Sequence, residues 1–248
     1  MDESGQQDPQ AVGDSSRLPP LLLYSLAGFA RTLSGAGDLR PVMVDLAERA
    51  RLAVEATGAG VILVEAGRPV FCGSSRPSLD SLGGTEERSG YGPGVESALS
   101  GRTVTVPDLS VGADRWPGYA GGAARAGIRA VAAIPLQAGD ATLGALNVYH
   151  SAPREWTDSG IRPARVLADL AAGYLALARC LEEQRRLAGE LQQALDSRVV
   201  IEQAKGIIAV HRGVGMERAF DLLRRHATSH GATVDETADA VVRLGLRP

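Results

Sequence analysis

The chain has 248 residues, a formal net charge of −3 and 22% charged side chains, which suits one large domain or two smaller ones. An apolar content of 44% with only 4% aromatic residues excludes a disordered chain and an aromatic-rich scaffold. The mild overall acidity argues against a protein that coats nucleic acid without selectivity. Of the 26 basic residues only Lys205 is a lysine, a bias that a GC-rich genome would produce.

The cysteines and the start of the chain exclude further classes of protein. Cys72 and Cys180 lack a CxxC pair and a histidine at ligand spacing, which excludes a disulfide framework and a zinc site. We expect two reduced thiols, with redox sensing by one of them as the alternative. Residues 1–17 are polar without a basic region, so no signal peptide is indicated and disorder is expected. The apolar stretch 18–30 is too short to span a bilayer, which predicts a cytoplasmic protein with no membrane partner.

Periodic patterns between residues 21 and 150 predict an α+β domain. Asp38 is the expected N-cap of the second of two opening helices, and residues 73–92 are expected to form a glycine- and serine-rich loop. Helices are predicted at 21–33, 39–56, 93–99 and 119–126, and strands at 59–65, 69–72, 103–106, 128–136 and 142–149. This order predicts one mainly antiparallel sheet with flanking helices.

A helical pattern then runs without a break from residue 158 to residue 211. Its apolar residues alternate steps of three and four over four heptads, which is typical of a coiled coil or a helix-bundle seam. The members are Leu167, Leu170, Tyr174, Leu177, Leu181, Gln184, Ala188, Leu191 and Leu195, with Gln184 as a polar interruption. We expect a homodimer through the 158–211 helix. The alternative is that its first half packs on the sheet and only its second half is exposed.

The last sixty residues predict an all-α bundle of three short helices. Past Leu195 the apolar face turns to the opposite side of the long helix, and two further amphipathic helices follow. Gly213 and Gly231 are suitable ends for the first two helices, and Thr233 with Glu236 forms a capping box for the third.

Charge is distributed unevenly between the two halves of the chain. Residues 198–248 hold eight basic and six acidic side chains, a net of +2, which leaves −5 for residues 1–197. Arg198, Lys205 and Arg212 are seven residues apart, and this spacing predicts a basic stripe whose side chains stay free. Periodicity alone leaves a solvated helix face as the alternative, because acidic residues interrupt the stripe.

The sequence ALDSRVVIEQAKG at 194–206, followed by AFDLLR at 219–224 and by Ala227, resembles the ANTAR domain. The resemblance extends over about 187–248 and is specific. It implies a three-helix RNA-binding module of bacterial transcription antiterminators, which binds paired hairpins in nascent transcripts and so prevents a terminator from forming. Small residues on the inner faces are expected to serve close packing, namely Ala204, Gly206, Ala219 and Ala227.

The candidates for contacts with RNA phosphates and loops are the basic residues of this segment. They are Arg198, Lys205, Arg212, Arg224, Arg225 and His211. The segment has no tryptophan or tyrosine beyond Arg198. Unstacked loop bases would therefore stack on arginine planes or on a histidine.

Residues from about 21 to 180 resemble a GAF domain of the kind joined to ANTAR in actinobacteria. The matching stretches are GPGVESAL at 92–99, VPDL at 106–109, DRWP at 114–117, GIRAV at 127–131, IPL at 134–136 and LGALNVY at 143–149. The resemblance implies a sensory fold that holds small molecules, haem or cyclic nucleotides, or that dimerises.

No ligand is predicted for this domain. Gly94 stands where relatives often have a cysteine, the pattern of cyclic-nucleotide-binding relatives is missing, and His150 is expected to be a surface histidine. A pocket between the sheet and its covering loop is predicted from Tyr91, Trp116, Tyr119 and Asn147, with simple loop packing as the alternative.

These observations predict a disordered segment at 1–17, a GAF sensory domain at 18–180, a coiled-coil linker helix at 181–197 and an ANTAR RNA-binding domain at 187–248. The predicted function is an RNA-binding antitermination regulator without catalytic or metal-binding residues. Its cofactor is left unknown, and its signal is an unknown small molecule or protein. The alternatives are a dimeric scaffold whose bundle binds a protein partner, a DNA-binding bundle and an enzyme.

Overall fold

A computed structural model describes residues 20–34, 38–111 and 115–248. It divides into two compact units, the first ending at Leu177 and the second comprising Ala178–Pro248. The predicted disorder of residues 1–17 lies outside the described residues.

The first unit is built on a five-stranded antiparallel sheet with the strand order β2-β1-β5-β4-β3. The strands are β1 (Gly58–Glu65), β2 (Arg68–Ser74), β3 (Val104–Val106), β4 (Ala130–Ala138) and β5 (Ala141–His150). The helices before α6 are α1 (Pro20–Ser34), α2 (Leu39–Ala53), α3 (Asp80–Ser89), α4 (Pro93–Ser100) and α5 (Pro117–Arg125). Helix α6 (Asp158–Arg212) begins in this unit and ends in the second.

Local sequence explains where these elements begin and turn. Asp38 caps α2 as predicted, because its carboxylate accepts a hydrogen bond of 3.1 Å from the backbone N–H of Arg40. The β1–β2 hairpin turns through Ala66 and Gly67, whose φ angles are +48° and +77°. Two positive φ angles are typical of a type I′ turn, which matches the twist of the flanking strands.

Alternating residues of the sheet serve two separate cores, one on each face. Along β4, Ala132 and Ile134 join a cluster with α1, α2 and the first part of α6, whereas Val131 and Ala133 join a second cluster beneath α3 and α5. Leu167 belongs to the first cluster. The beginning of α6 therefore packs on the sheet.

The predicted loop over residues 73–92 is wrong in its middle. A 3₁₀ turn at Pro77–Leu79 leads into the ten-residue helix α3, which contains two adjacent glycines. A Cβ atom on Gly83 would lie 2.1 Å from Cε2 of Phe71, so the absent side chain lets α3 approach β2. Close packing thus outweighs the poor helix propensity of glycine.

The second unit is a bundle formed by the end of α6 with α7 (Met216–Ser229) and α8 (Val234–Arg243). Gly213 and Gly231, with φ of +61° and +66°, follow the first two helices as predicted. The predicted capping box of α8 is present, since Thr233 and Glu236 exchange side-chain-to-backbone hydrogen bonds of 3.1 and 2.8 Å. The core residues are Ala204, Ile208, Ala219, Leu223, Ala238 and Val241.

The predicted fold class is confirmed: an antiparallel sheet with flanking helices, followed by a long helix and shorter C-terminal helices. Along α6, several apolar side chains between the part packed on the sheet and the part packed in the bundle are exposed in the single chain. They are Leu177, Leu181, Leu187, Leu191, Leu195 and Val199. Four of these residues, Leu177, Leu181, Leu191 and Leu195, belong to the predicted seam, whereas Leu187 and Val199 were not among its predicted members.

Candidate functional site

Arg198 stands at the start of the predicted basic stripe and is exposed on α6. Within the described part of the chain, its guanidinium has no hydrogen bond or ion pair. The preceding residue, Ser197, donates a hydrogen bond to Asp235 and so connects α6 with α8. Arg198 therefore projects from a fixed backbone with all its donors available.

Lys205 departs from the expectation that the stripe stays free. Its Nζ lies 2.7 and 2.9 Å from the two carboxylate oxygens of Glu202, one turn earlier on α6. It also lies 5.8 Å from the ring centroid of Phe220 on α7, and its side chain is only 17% exposed. The alkyl stem and ammonium thus hold α7 against α6, and the ion pair with Glu202 neutralises the charge.

Arg212, the third member of the stripe, is also engaged. Its Nε and Nη2 both donate to the main-chain oxygen of Pro248, at 3.0 and 2.6 Å. Both residues line a cavity of about 220 Å³ together with Ile207, Ile208, His211 and Arg247. No sequence pattern predicted this cavity, because the chain returns to α6 only through a turn that follows α8.

Helix α7 carries the remaining candidates on its exposed face. Arg224 lies 3.7 Å from the carboxylate of Asp221, a distance that leaves a weak and solvated ion pair. Arg225 is exposed and has no ion pair among the described residues. Next to it, the rings of His226 and His230 stack with centroids 4.1 Å apart. Sequence reasoning missed this pair, although its i, i+4 spacing was a readable signal.

Three of the four small residues lie where close packing was predicted. Ala204, Ala219 and Ala227 are buried and let the three helices approach. Gly206 is half-buried, and a Cβ atom there would meet no neighbouring atom within 4 Å, so the predicted packing role of Gly206 is wrong.

The predicted pocket of the first unit is assembled only in part. Tyr91 and Trp116 line a surface cleft of about 310 Å³ beside α4, where Arg115 lies 4.4 Å from the Trp116 ring centroid and pairs with Glu96. Tyr119 and Asn147 are buried under the helices, and neither lines this cleft. The other lining residues are Gly90, Gly92, Val95, Glu96, Leu99 and Ser100.

A buried carboxyl group lies beneath this cleft and was not identified from the sequence. Glu86 of α3 is fully buried, and its Oε1 accepts the backbone N–H of Gly94 at 2.8 Å. Its Oε2 accepts Nδ2 of Asn147 at 2.9 Å. Burial raises the pKa of Glu86 to about 8, although the hydrogen bonds from α4 and Asn147 oppose that rise.

Glu86 has a structural task in this arrangement. Gly94 is in the first turn of α4, so the carboxyl group satisfies backbone donors that have no partner within the helix. A Cβ atom on Gly92 would lie 2.2 Å from Oε1 of Glu86, so glycine is needed at that position. The GPG sequence at 92–94, which resembled a family motif, thus leaves room for the Glu86 side chain of α3.

Comparison with known proteins fits this geometry. The model of the GAF domain matches residues 38–175, and the model of the ANTAR domain matches residues 189–242. The chain belongs to the GAF domain family. Its C-terminal unit carries an ANTAR domain, and GAF and ANTAR domains are regulatory modules rather than catalytic ones. No curated protein matches the chain.

Solved structures with the same fold include two GAF domains of phosphoenolpyruvate-protein phosphotransferases. The domain from Acinetobacter is 13% identical to this chain and has a TM-score of 0.53. The match covers 66% of this chain and 97% of the Acinetobacter domain. The domain from Coxiella burnetii is 17% identical and has a TM-score of 0.51. The match covers 65% of this chain and 96% of the Coxiella domain. At these identities the similarity concerns the fold of the GAF domain alone.

The described residues of the GAF and ANTAR domains were also compared with the predictions for the cysteines, for metal binding and for membrane spans. Cys72 of the GAF domain is buried, which raises the pKa of its thiol to about 11, whereas Cys180 on α6 is exposed. The ranges that the structure describes contain no group of three or more His, Cys, Asp or Glu that could hold a metal ion. Among the described helices, none is both long and apolar enough to cross a membrane.

Proposed function

We propose that this protein is an antitermination regulator of the actinobacterial GAF–ANTAR type, whose ANTAR domain binds paired RNA hairpins in nascent transcripts. The observation that carries the proposal is the ANTAR match at residues 189–242, because ANTAR domains are RNA-binding antitermination modules. A protein that acts on nascent transcripts works in the cytoplasm. The proposed domain limits remain 18–180, 181–197 and 187–248.

The contacts support different roles for the six candidate residues. Arg198 and Arg225 have unpaired guanidinium groups and are proposed to bind phosphates directly. Arg224 is proposed to leave its weak pair with Asp221 for a phosphate. Lys205 is proposed to position α7, because its ammonium is already neutralised by Glu202. His211 and Arg212 border the cavity at the end of α6.

The exposed apolar row of α6 supports a homodimer through the 158–211 helix. Leu181, Leu191 and Leu195 are each at least 44% exposed in the single chain, and they continue a heptad pattern that begins inside the GAF core. A second copy offers the same row in the same register, which a two-stranded coiled coil requires. Two ANTAR domains in one dimer would bind two hairpins of a transcript with avidity.

The signal is proposed to enter at the cleft that Tyr91 and Trp116 line in the GAF domain. The cleft adjoins α4, whose first turn is held by Glu86. A small molecule or a partner protein in the cleft would therefore act on a helix that packs on the sheet. The signal would then change the pairing of α6 between the two copies.

RNA binding is tested with the full chain and a pool of RNAs that carry two hairpins with randomised loops. Enrichment of particular loops, and loss of affinity when those loops are scrambled, is the expected result. Arg198→Glu should weaken binding of the enriched RNA by at least about tenfold and lower the dependence of affinity on salt by about one neutralised phosphate. Arg185→Glu is the matched control, since this exposed arginine lies on the same helix outside the ANTAR domain.

Two outcomes would contradict the proposed function. If intact and scrambled loops bind equally with only a generic salt dependence, selective antitermination is wrong. If no RNA is retained, the RNA-binding function is wrong, and the scaffold whose bundle binds a protein partner becomes the alternative to test.

The dimer is tested by sedimentation of the full chain. Leu181→Asp with Leu191→Asp places charges in the exposed row and should yield monomers, because a coiled-coil seam does not accept facing carboxylates. Gln193→Asp adds one such charge on the opposite face of α6 and should leave the dimer intact. An unchanged mass for the double variant would place any interface elsewhere.

A further inference from the structure

The cleft beside α4 in the GAF domain combines aromatic rings with one carboxylate. Tyr91 and Trp116 line it, and Glu96 is the one charged side chain among its described lining residues. Its volume of about 310 Å³ lies at the lower end of the range of small-molecule pockets, about 300–1,000 Å³. Aromatic faces and a negative charge both attract cations, so this lining favours a positively charged ligand.

An arginine of the chain already makes the two contacts that such a ligand would use. Cζ of Arg115 lies 4.4 Å from the ring centroid of Trp116, and its Nη2 pairs with the Glu96 carboxylate. Arg115 itself does not line the cleft. Its guanidinium therefore shows that this ring and this carboxylate together accept a planar cation.

The contacts of Arg115 are weak enough for a ligand to replace them. The side chains of Arg115 and Glu96 are 56% and 36% exposed, and solvent screens an ion pair of this kind. A ligand would also gain a contact that Arg115 lacks. Tyr91 is 73% exposed, and no cation of the described residues lies over its ring.

We propose that this cleft binds a free organic cation with a planar guanidinium or amidinium group, which displaces Arg115 from Trp116 and Glu96. This inference rests on the proposed entry of a signal at the cleft and names the chemical class of that signal. A planar, weakly hydrated cation stacks on aromatic rings and donates two parallel hydrogen bonds to a carboxylate, which a compact ammonium group does not. Arg115 is then an internal competitor that raises the ligand concentration needed to fill the cleft.

The test measures the affinity of the full chain for butylguanidinium by ligand-detected NMR titration. Butylurea is the matched control probe, because it has the same shape without the charge. Butylguanidinium should bind at least about tenfold more tightly than butylurea. Glu96→Gln should remove most of this difference. Glu87→Gln should preserve it, because this exposed carboxylate of α3 does not line the cleft.

Removal of the internal competitor should have the opposite sign. Arg115→Ala frees the Trp116 ring and the Glu96 carboxylate, so butylguanidinium should bind about three- to fivefold more tightly. Arg125→Ala is the control, since it removes an exposed arginine of α5 that does not line the cleft. An unchanged or weaker affinity in Arg115→Ala overturns the displacement.

A second measurement locates the ligand in the unchanged protein and does not depend on the folding of a cleft variant. The chain has two tryptophans, whose indole N–H groups give separate NMR signals that Trp156→Phe assigns. Trp156 also has an arginine over its ring, with Cζ of Arg154 at 4.8 Å from the ring centroid, but it does not line the cleft. Butylguanidinium should shift the Trp116 signal alone. A shift confined to Trp156, or no shift, overturns the site.

The remaining outcomes separate this inference from the proposed function. Equal affinities for butylguanidinium and butylurea overturn the cationic class and leave the cleft as the entry point of the signal. Binding of neither probe overturns both the class and the entry of a small molecule there. Tighter binding of an end-blocked Gly-Arg-Gly peptide would assign the cleft to an arginine of a partner protein and overturn the free ligand. RNA binding is measured separately, so each of these outcomes leaves it intact.

Discussion

The GAF and ANTAR domains differ most in where they keep their ionisable groups. The GAF domain has two cores of 27 and 12 buried apolar residues in the described part of the chain, and a carboxyl group between its helices and sheet. The ANTAR bundle has a core of six buried residues, and its basic side chains lie on the surface or in a shallow cavity. Proton exchange at the buried carboxyl group therefore depends on the packing around it, whereas most basic side chains of the ANTAR bundle are in contact with solvent.

The difference in core size can be tested with matched core truncations. Leu223→Ala removes one of six buried residues of the ANTAR core, and Leu46→Ala removes one of 27 in the larger GAF core. Each substitution should lower the free energy of unfolding of its domain by about 2–5 kcal/mol. The small bundle has less stability to lose, so Leu223→Ala should unfold α7 and α8 while the sheet remains folded. Hydrogen exchange followed by mass spectrometry resolves the two domains, and parallel changes in both would show a single cooperative unit.

The buried carboxyl group predicts a pH dependence confined to the GAF domain. Burial raises the pKa of Glu86 to about 8 in the folded chain, whereas its ordinary value is 4.5. The folded state therefore holds this proton between pH 4.5 and 8 and the unfolded state releases it, so stability falls as the pH rises through that range. Glu86→Gln should remove a loss on the order of 3 kcal/mol between pH 5 and pH 8.

Urea unfolding of the GAF domain at several pH values measures this effect. Glu87→Gln is the control, because this neighbouring side chain is exposed. A slope that persists in Glu86→Gln would show that another group carries the pH dependence.

The two cysteines report on the same contrast between interior and surface. The pKa of Cys72 is raised by burial to about 11 from an ordinary value of 9, which lowers its thiolate fraction about a hundredfold at pH 8. Cys180 is exposed on α6. Iodoacetamide should therefore alkylate buried Cys72 far more slowly than exposed Cys180 of the same chain. Comparable rates by mass spectrometry would indicate that the GAF core opens readily.

The capping box of α8 should give the smallest effect. Thr233→Ala removes the side-chain acceptor for the Glu236 N–H and should destabilise the bundle by about 1 kcal/mol. Thr228→Ala removes a hydroxyl that donates to the carbonyl of Arg224 within α7, and it should change stability by less than about 0.5 kcal/mol. Hydrogen-exchange rates of the α8 amides measure the loss of stability in the two variants. An equal loss in both would argue that the cap does not stabilise α8.

Local patterns predicted the features that depend on neighbouring residues. The Asp38 cap, the α8 capping box and the glycines after α6 and α7 follow from short-range chemistry. The helix α3 was missed because its glycines are explained only by the approach of Phe71, which comes from another strand. Glu86 was missed for the same reason, since its partners Gly94 and Asn147 lie 8 and 61 residues away.

For the candidate RNA site, the sequence predicted which residues are basic but not which are free. The spacing of Arg198, Lys205 and Arg212 places them along one helix, and in the structure only the first of the three is unpaired. The partners that decide this are Glu202, Phe220 and Pro248, of which the last two come from other segments of the bundle. Charge patterns therefore indicate a surface, and tertiary contacts decide which side chains are available on it.

The single lysine has a practical consequence for chemistry on this protein. Every other basic side chain is a guanidinium or an imidazole, so the chain has one ε-amine for acylation. That amine lies between the Glu202 carboxylate and the Phe220 ring, at the joint between two helices of the ANTAR domain. An acyl group attached there would neutralise the lysine and loosen the joint. The reactivity of this one amine thus becomes a reporter of whether the ANTAR bundle is closed.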